Sequence, residues 1–245
     1  MIKFTVGIVY YNTKSEILLD TLKSIKINNN KELITKIIIF NNSKNKLNFI
    51  KNIYPEINII ENGINIGFGS GHNEILKIIN SKYHLILNPD VLISNNCINK
   101  LIYQLENNRK IHCIGPKILS NNKTYQSIRN NPTLFNIIKR KLGIKENVFK
   151  NKLSDNLYSV KIISGCFMLV RTKILKNING FDRRFFLYFE DIDLQMRIQS
   201  KGLVSYDESV IINHIHARQS HNNLCHFFIH IKSMIIYLLK WKKIF

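Results

Sequence analysis

An α/β fold, built on a mostly parallel sheet flanked by helices, is what this sequence predicts, and three observations predict it. Short continuous apolar runs rich in Ile, Val, Phe and Tyr recur through the first half of the chain, the pattern of strands buried on both faces. Segments with helical apolar spacing lie between them, giving a β-α-β-α-β series. The runs stop at clusters of Asn, Ser, Gly or Pro, and the carboxyl ends of parallel strands are where such sheets bind ligands. A chain of 245 residues is long enough for one domain with a sizeable core.

The first strand is Phe4 to Tyr11, FTVGIVYY, ended by Asn12 and Thr13. A helix from Ser15 to Ile27 follows, with Ile17, Leu18, Leu22 and Ile25 on one face. Ile37 to Phe40 is the second strand, stopping at Asn41, Asn42 and Ser43, and a weaker helix leads to a third strand at Ile57 to Ile60. Tyr11, Asn12 and Asn41 to Ser43 are therefore candidate site residues at strand ends. The stretch Asn62 to Asn73, NGINIGFGSGHN, is glycine-rich and runs into a helix predicted over Glu74 to Ile79. Glycines 67, 69 and 71 allow close approach of a phosphate or nucleotide, although their spacing is not the dinucleotide fingerprint and a plain tight loop also fits. His84 to Leu87 is a strand ending in Asn88-Pro89-Asp90. A carboxylate at that end suits a divalent cation that also grips a diphosphate; the same three residues also suit a turn.

Asn95 to Leu105 reads as a helix, Ile111 to Gly115 as a strand closed by Pro116, and the polar stretch after Ser120 carries Gln126, Ser127 and Arg129. Leu134 to Leu142 is a short helix made basic by Lys139, Arg140 and Lys141, and residues 143–158 read as a mobile polar loop, a lid. Strands at Val160 to Ile163 and Cys166 to Val170, broken at Ser164-Gly165, precede a helix at Lys173 to Asn177. Two more strands, Leu203 to Tyr206 and Val210 to Ile212, deliver His214 and His216, which at i and i+2 point the same way and suit either a metal or an ordinary surface pair. From Leu224 onward an amphipathic segment sets Phe227, Phe228, Ile231, Met234, Ile235, Leu238 and Trp241 against Lys232, Lys240, Lys242 and Lys243. Such a helix packs on the domain or lies in a membrane interface.

The densest chemistry is in Phe185 to Gly202, FFLYFEDIDLQMRIQSKG. Four aromatics precede Glu190, Asp191 and Asp193, and Gly202 supplies a helix stop. Acids at a helix start are ordinary, because the helix dipole favours them there. The aromatic flank sets these apart: a carboxylate beside it is partly desolvated, which raises its pKa and improves it as a base. Asp191 is the candidate catalytic base.

A formal charge of +20 implies an anionic partner: nucleic acid, a phosphorylated substrate or an acidic membrane surface. No nucleic-acid-binding motif accompanies it, and the aromatics lie mostly in apolar runs rather than among basic residues. Cys97, Cys113, Cys166 and Cys225 form no C-x-x-C pair, which argues against zinc and disulfides and for a reducing, cytoplasmic setting. The chain starts in a strand-like segment without the features of a signal peptide, and no apolar stretch reaches membrane-spanning length free of charge or histidine. A soluble or peripheral protein is expected.

Taken in order, the motifs resemble glycosyltransferase family 2, the inverting enzymes of GT-A fold with a Rossmann-like sheet, and especially its bacterial rhamnosyltransferase-like branch. The family's V-x-x-Y-N strand is similar to Val6 to Asn12, its N-L-G-F-x-G-G-N loop to Asn65 to Asn73, and its L-N-P-D metal motif to Leu87 to Asp90. S-G-C-F-M-L-V-R (Ser164 to Arg171) and G-F-D-x-x-F-F-x-Y-F-E-D-x-D-L (Gly180 to Leu194) match nearly letter for letter. H-x-H-x-R-x-S is met by His214, His216, Arg218 and Ser220, and the closing S-x-x-x-Y-x-x-K-W by Ser233 to Trp241.

The resemblance implies a GT-A domain over residues 1–222, with a nucleotide-sugar-binding half (1–115) and an acceptor and catalytic half (116–222), followed by a basic amphipathic tail (223–245). It implies that Asp191 is the base, that Asp90 holds a divalent metal (Mg or Mn) with His214 as a second ligand or diphosphate contact, and that Asn88 replaces the first acid of a D-x-D. Tyr11, Asn12, Asn41, Gly67, Gly71, Asn73, Asn88 and Asp90 would meet the donor; Glu190, Asp193 and Arg197 would orient the acceptor. Asn41 departs from the family's usual Asp, changing the donor–acceptor pattern offered to a base. The implied reaction moves a sugar, L-rhamnose from dTDP-L-rhamnose, to a polyprenyl-diphosphate-linked glycan at the anionic inner face of the plasma membrane. A UDP- or GDP-sugar donor is the alternative, a nucleic-acid- or membrane-binding basic protein the reading from another class, and an oligomer is compatible with all of these.

Overall fold

The computed structural model describes residues 2–27, 33–120, 123–124, 127–144, 147–215 and 224–242. Four apolar runs become β1 (Ile2–Tyr10), β2 (Leu33–Asn41), β3 (Asn58–Glu61) and β4 (Tyr83–Leu87), which pair in parallel in the order β3-β2-β1-β4. Their crossovers are α1 (Ser15–Ile27), α2 (Asn48–Ile53) and α3 (Phe68–Ile78). β1 is buried on both faces, as its unbroken apolar run requires: Phe4, Val6 and Ile8 pack towards Leu18, Leu22 and Ile25 of α1, and Val9 packs with Ile75 of α3. Strand order reverses at β1, so the carboxyl ends of β1 and β4 flank a crevice.

The second half extends the same sheet. After β5 (Val91–Ile93) and α4 (Cys97–Asn107) come β6 (Ile111–Ser120), β7 (Lys123–Thr124), β8 (Ile128–Arg129), α5 (Leu134–Lys141), β9 (Lys150–Ser154), β10 (Leu157–Val160) and β11 (Ile162–Ile163). β12 (Phe167–Arg171), α6 (Thr172–Asn177), α7 (Glu190–Gln199), β13 (Leu203–His214) and α8 (Leu224–Trp241) complete the chain. The full order is β3-β2-β1-β4-β12-β6-β13-β10-β9, with β12 antiparallel to β4 and β6, while β8 and β11 pair apart from it.

Several boundaries differ from the sequence reading, each for a physical reason. β6 runs through Pro116 instead of stopping there, because Pro116 faces Asp207 where β13 bulges and the ladder shifts register. The two strands expected around residue 208 are thus one bulged strand. Residues 150–160 are not a lid: β9 and β10 form a hairpin that adds β10 to β13, with Asn156 at positive φ in the turn and lysines on the outer strand. α3 begins six residues early, at Phe68, so Gly69 and Gly71 lie inside it. A Cβ on Gly71 would come within 2.8 Å of Val9, so this glycine lets the helix sit close on the sheet. Finally, α8 is long and apolar enough by length and composition to cross a membrane, with mean hydropathy 1.2, although histidines and lysines interrupt it.

Beneath α3, His72 and His84 are fully buried 6.4 Å apart, and neither ring has a hydrogen-bond partner among the described residues. A cavity of about 10 Å³ beside them has room for about one water. Burial pushes His84 down to about 3 and, with the neighbouring imidazole, drives His72 well below its ordinary range. Both rings are therefore neutral in the folded protein, whereas the unfolded chain protonates them below pH ~6.5. The stability each histidine contributes is complete above that pH and is lost on acidification, at about 1.4 kcal/mol per pH unit. Glu190 and His214, both raised in the fold, titrate the opposite way over the same range, so the readout is a difference between two proteins: from pH 7.5 to 5.5, urea unfolding of the wild type should lose about 1.4 kcal/mol relative to His84→Leu. Equal slopes for the two proteins would refute the assignment.

Candidate active site

Two adjoining cavities open at the crevice and share Phe68 and Leu187 in their walls. The smaller, about 250 Å³, is lined by Asn88, Arg129, Gly165, Cys166, Glu190, Asp191, His214 and His230, among others. The larger, about 470 Å³, is lined by Val9, Tyr11, Asn42, Asn65, Gly67, Phe186 and residues of α8.

Glu190 and Asp191 start α7, and the turn before them is strained: Tyr188 and Phe189 both have positive φ, at 69° and 63°, a region that aromatic residues rarely adopt. Ring packing holds them there. Tyr188 hydrogen-bonds His226 of α8 at 3.1 Å, and Phe189 packs on His230 and Tyr237. Gln195, one turn along α7, donates to the Ile163 carbonyl and accepts from the Ile163 amide, fixing β11 to the helix. Because Ile162 of β11 pairs with Arg129 of β8, this clamp brings the Arg129 guanidinium to the Asp191 carboxylate at 2.8 Å. Gly165 supplies the opposite wall: a Cβ there would lie 2.6 Å from Asp191 Oδ2. Glu190 is 6% exposed, and burial, helped by the negative charge of Asp191, raises it to about 8. At neutral pH it is mostly protonated, and a neutral carboxyl can donate a hydrogen bond.

At the other end of the same cavity, β5 and β13 pair with His214 opposite Val91, and the Ile215 amide donates to the Asp90 carbonyl. These contacts set His214 Nε2 3.1 Å from Asp90 Oδ1. Burial alone would lower the His214 imidazole, but the hydrogen bond to Asp90, with Cys166 beside it, outweighs burial and raises it to about 10. Asn88, whose amide donates to the Cys166 carbonyl, lines the cavity next to them.

A divalent cation fits this donor set in one way. Among the described residues no cluster of three His, Cys, Asp or Glu side chains could hold a metal ion. Asp90 offers one donor and His214 a second once its imidazole gives up the proton it shares with Asp90, so the remaining positions would fall to diphosphate oxygens and water, the arrangement preferred by small hard cations. His216, Arg218 and Ser220, and also Gln126 and Lys243, lie outside the described residues.

Of the residues expected at the donor, Tyr11 and Gly67 line the larger cavity, Asn88 lines the smaller one, and Asp90 hydrogen-bonds His214 in its wall. Four others make contacts within the fold. Asn41 is fully buried, donating to Glu61 Oε2 at 2.6 Å and to the Asn45 carbonyl while accepting from the Ser43 amide. An amide can donate to Glu61 where the family's Asp could not, so its place here is structural; Asn42 lines the cavity instead and ties Gly67 to β2. Asn12 is occupied by Ser43. Asn73 spends both ends of its amide on the Phe181 backbone, and Gly71 is the packing glycine of α3. Asp193 and Arg197 are likewise engaged within the fold. Asp193 is fully buried under Arg197, Lys240 and Trp241, and Arg197 also caps the Ile178 and Gly180 carbonyls. Arg129, Gly165 and His230 are the wall residues that sequence reasoning missed as site residues. Only the pairing of distant segments delivers them, although Gly165 lay inside the matched S-G-C-F motif.

Residues 3–222 match the family model described as Glycosyltransferase like family 2. The chain is a family 2 glycosyltransferase. This glycosyltransferase is 31% identical over 186 residues to rhamnosyltransferase WbbL of Escherichia coli K12, covering 69% of this chain and 67% of that protein. It is 25% identical over 210 residues to an N-acetylglucosaminyl-diphospho-decaprenol L-rhamnosyltransferase of Mycobacterium tuberculosis, covering 76% and 67%. Its fold is GT-A. The structure of GalNAc-T7 with UDP, GalNAc and Mn²⁺ superposes with TM-score 0.70 at 14% identity, over 91% of this chain and 45% of that one. The mannosyltransferase PcManGT from Pyrobaculum calidifontis, in complex with GDP-Man and Mn²⁺, does so with TM-score 0.67 at 10% identity, over 97% and 63%. The glycosyltransferase thus spans about two thirds of its curated relatives and less than two thirds of these solved chains.

Proposed function

We propose that this glycosyltransferase moves L-rhamnose from dTDP-L-rhamnose, with inversion, to a hydroxyl of a polyprenyl-diphosphate-linked glycan on the cytoplasmic side of the membrane, in the biosynthesis of cell-surface polysaccharide such as O-antigen or capsule. The observation that carries the reading is that His214, hydrogen-bonded to Asp90, lines the same cavity as Asp191. The named activities of the two rhamnosyltransferase relatives support the sugar and the lipid-linked acceptor. UDP- and GDP-sugars are the competing donors, because the superposed GT-A structures hold UDP and GDP-Man.

In this reading the nucleotide lies in the larger cavity along Tyr11, Asn42 and Gly67. Its diphosphate reaches Asn88 and Asp90. Asp90 and His214 would hold a divalent cation, Mg²⁺ or Mn²⁺, which when bound neutralises charge on the leaving diphosphate. Asp191 takes the proton of the acceptor hydroxyl. The freed oxygen attacks the anomeric carbon from the face opposite the nucleotide, and the bond from that carbon to the diphosphate oxygen breaks. Glu190, protonated and buried beside Asp191, is placed to donate a hydrogen bond to the acceptor.

The experiment is a thermal-shift panel of dTDP, UDP, GDP and CDP with and without Mn²⁺ or Mg²⁺. A metal-dependent rise with dTDP is expected, about 2.7 kcal/mol of stabilisation at a hundred times the dissociation constant. Asp90→Ala should abolish the metal-dependent part. A stronger response to UDP or GDP keeps the enzyme class and overturns rhamnose; silence toward every nucleotide would overturn the site.

A further inference from the structure

The two helices that close the catalytic side are apolar on both faces: Leu134 and Ile137 of α5 and Met234, Ile236, Tyr237 and Leu238 of α8 pack into one core cluster, yet both helices also expose large apolar side chains. On an ordinary surface helix the apolar stripe faces the core and the polar face meets water. In α8 the inward side also carries hydrogen-bonding groups: His226 meets Tyr188, Ser233 donates to the Leu187 carbonyl, Tyr237 points its hydroxyl at Met196, and Trp241 donates to Asp193. The outward stripe, spaced by three and four residues, is Leu224, Phe228, Lys232, Ile235, Leu239 and Lys242, all exposed. Phe228 is 68% and Leu239 64% exposed. α5 likewise shows apolar residues on both sides. There Ile137 is buried, while Phe135 and Ile138, with Leu142 just beyond the helix, are exposed. Ile137 packs in one apolar cluster with Tyr237 and Leu238 of α8, so the two helices share one core.

From this we infer that α5 and α8 together form a surface that docks in the plane of an anionic bilayer. Charge complementarity selects that occupant. Lys232 and Lys242 stand in the apolar stripe of α8, Lys139 lies over the Phe135 ring at 4.3 Å, and the chain carries +20. Apolar residues entering the headgroup boundary among cations is the pattern of an interfacial helix on acidic lipid. α8 lies along the bilayer rather than across it. Lys240 is paired with Asp182 and Asp193, and spanning would tear both pairs and the Trp241 bond from the domain. His230 of α8 lines the catalytic cavity, so docking there brings the site to the lipid surface. That use rests on the lipid-linked acceptor proposed above; the surface itself does not.

The test is vesicle flotation of the full chain on phosphatidylcholine, alone or with about one quarter phosphatidylglycerol, at low and high salt. The wild type should float with the anionic vesicles only and release as salt rises. Phe228→Glu/Leu239→Glu in α8 and Phe135→Glu/Ile138→Glu in α5 should each weaken binding about tenfold or more, with melting temperature and nucleotide response unchanged. Loss from the α8 pair alone would overturn the two-helix surface. No flotation of the wild type, or resistance to alkaline carbonate extraction, would overturn in-plane docking. So would a dimer, seen by light scattering and broken by the same substitutions, that ignores vesicles. Flotation without any nucleotide response would leave this surface standing and sink the transferase reading of the site.

Discussion

Asp191→Asn is expected to lower kcat by about two to four orders of magnitude, the usual contribution of a positioned general base, while leaving nucleotide binding in place. The substitution keeps the shape of the side chain and its place at the start of α7, but an amide cannot take the proton of the acceptor hydroxyl. The cavity proposed for the nucleotide adjoins that of Asp191 but is not lined by it, so the thermal response to the donor nucleotide should survive. Steady-state turnover with donor and a lipid-linked acceptor analogue gives the first quantity, and thermal shift the second. Glu190→Gln is the necessary companion. It retains hydrogen-bonding capacity and should reduce turnover far less. If Asp191→Asn turned over normally and Glu190→Gln did not, the base would be Glu190.

The largest stability effect is expected at Asp193, two residues further along α7. Its carboxylate has no exposed surface and is met by Arg197 Nε at 2.9 Å, Lys240 Nζ at 2.5 Å and Trp241 Nε1 at 3.0 Å. Asp193→Ala would leave Arg197 without its ion pair and would remove one of the two carboxylates, with Asp182, that hold Lys240. Removing one partner of a buried pair costs about 3–5 kcal/mol. At about 2–4 °C per kcal/mol for a chain of this size, the melting temperature should fall by roughly 6–20 °C. The same carboxylate fastens α8 to α7, so proteolysis within α8 should quicken alongside. A shift under about 2 °C would mean that Asp182 and the α8 packing hold the tail without Asp193.

Local pattern carried much of this molecule. Unbroken apolar runs marked β1, β2 and β4, since only strands buried on both faces need them, and Asn, Ser and Pro marked where they surface. The acids at the start of α7 and the Asn-Pro-Asp turn after β4 were visible as chemistry for the same reason: charged residues beside apolar runs require a partner or a purpose. Family resemblance then gave them roles. Side-chain commitments were not visible. Asn41, Asn73, Asp193 and Arg197 look like site residues in a motif, yet each also makes a contact with a segment distant in sequence. The residues around 150–160 were polar enough to read as a lid, because an edge hairpin needs no apolar run of its own.

By itself, then, the sequence determined the α/β class, the order of strands and helices through β4, and which carboxylates and histidines stand near strand and helix ends, because these depend on neighbours within a few residues. Only the tertiary structure decided that His214 meets Asp90, that Arg129 meets Asp191, that α8 turns its hydrogen-bonding groups inward, and that His72 and His84 are sealed together. Those pairs and faces are set by register between segments far apart in the chain, and a one-residue slip in β13 or β8 would undo them without changing any local pattern.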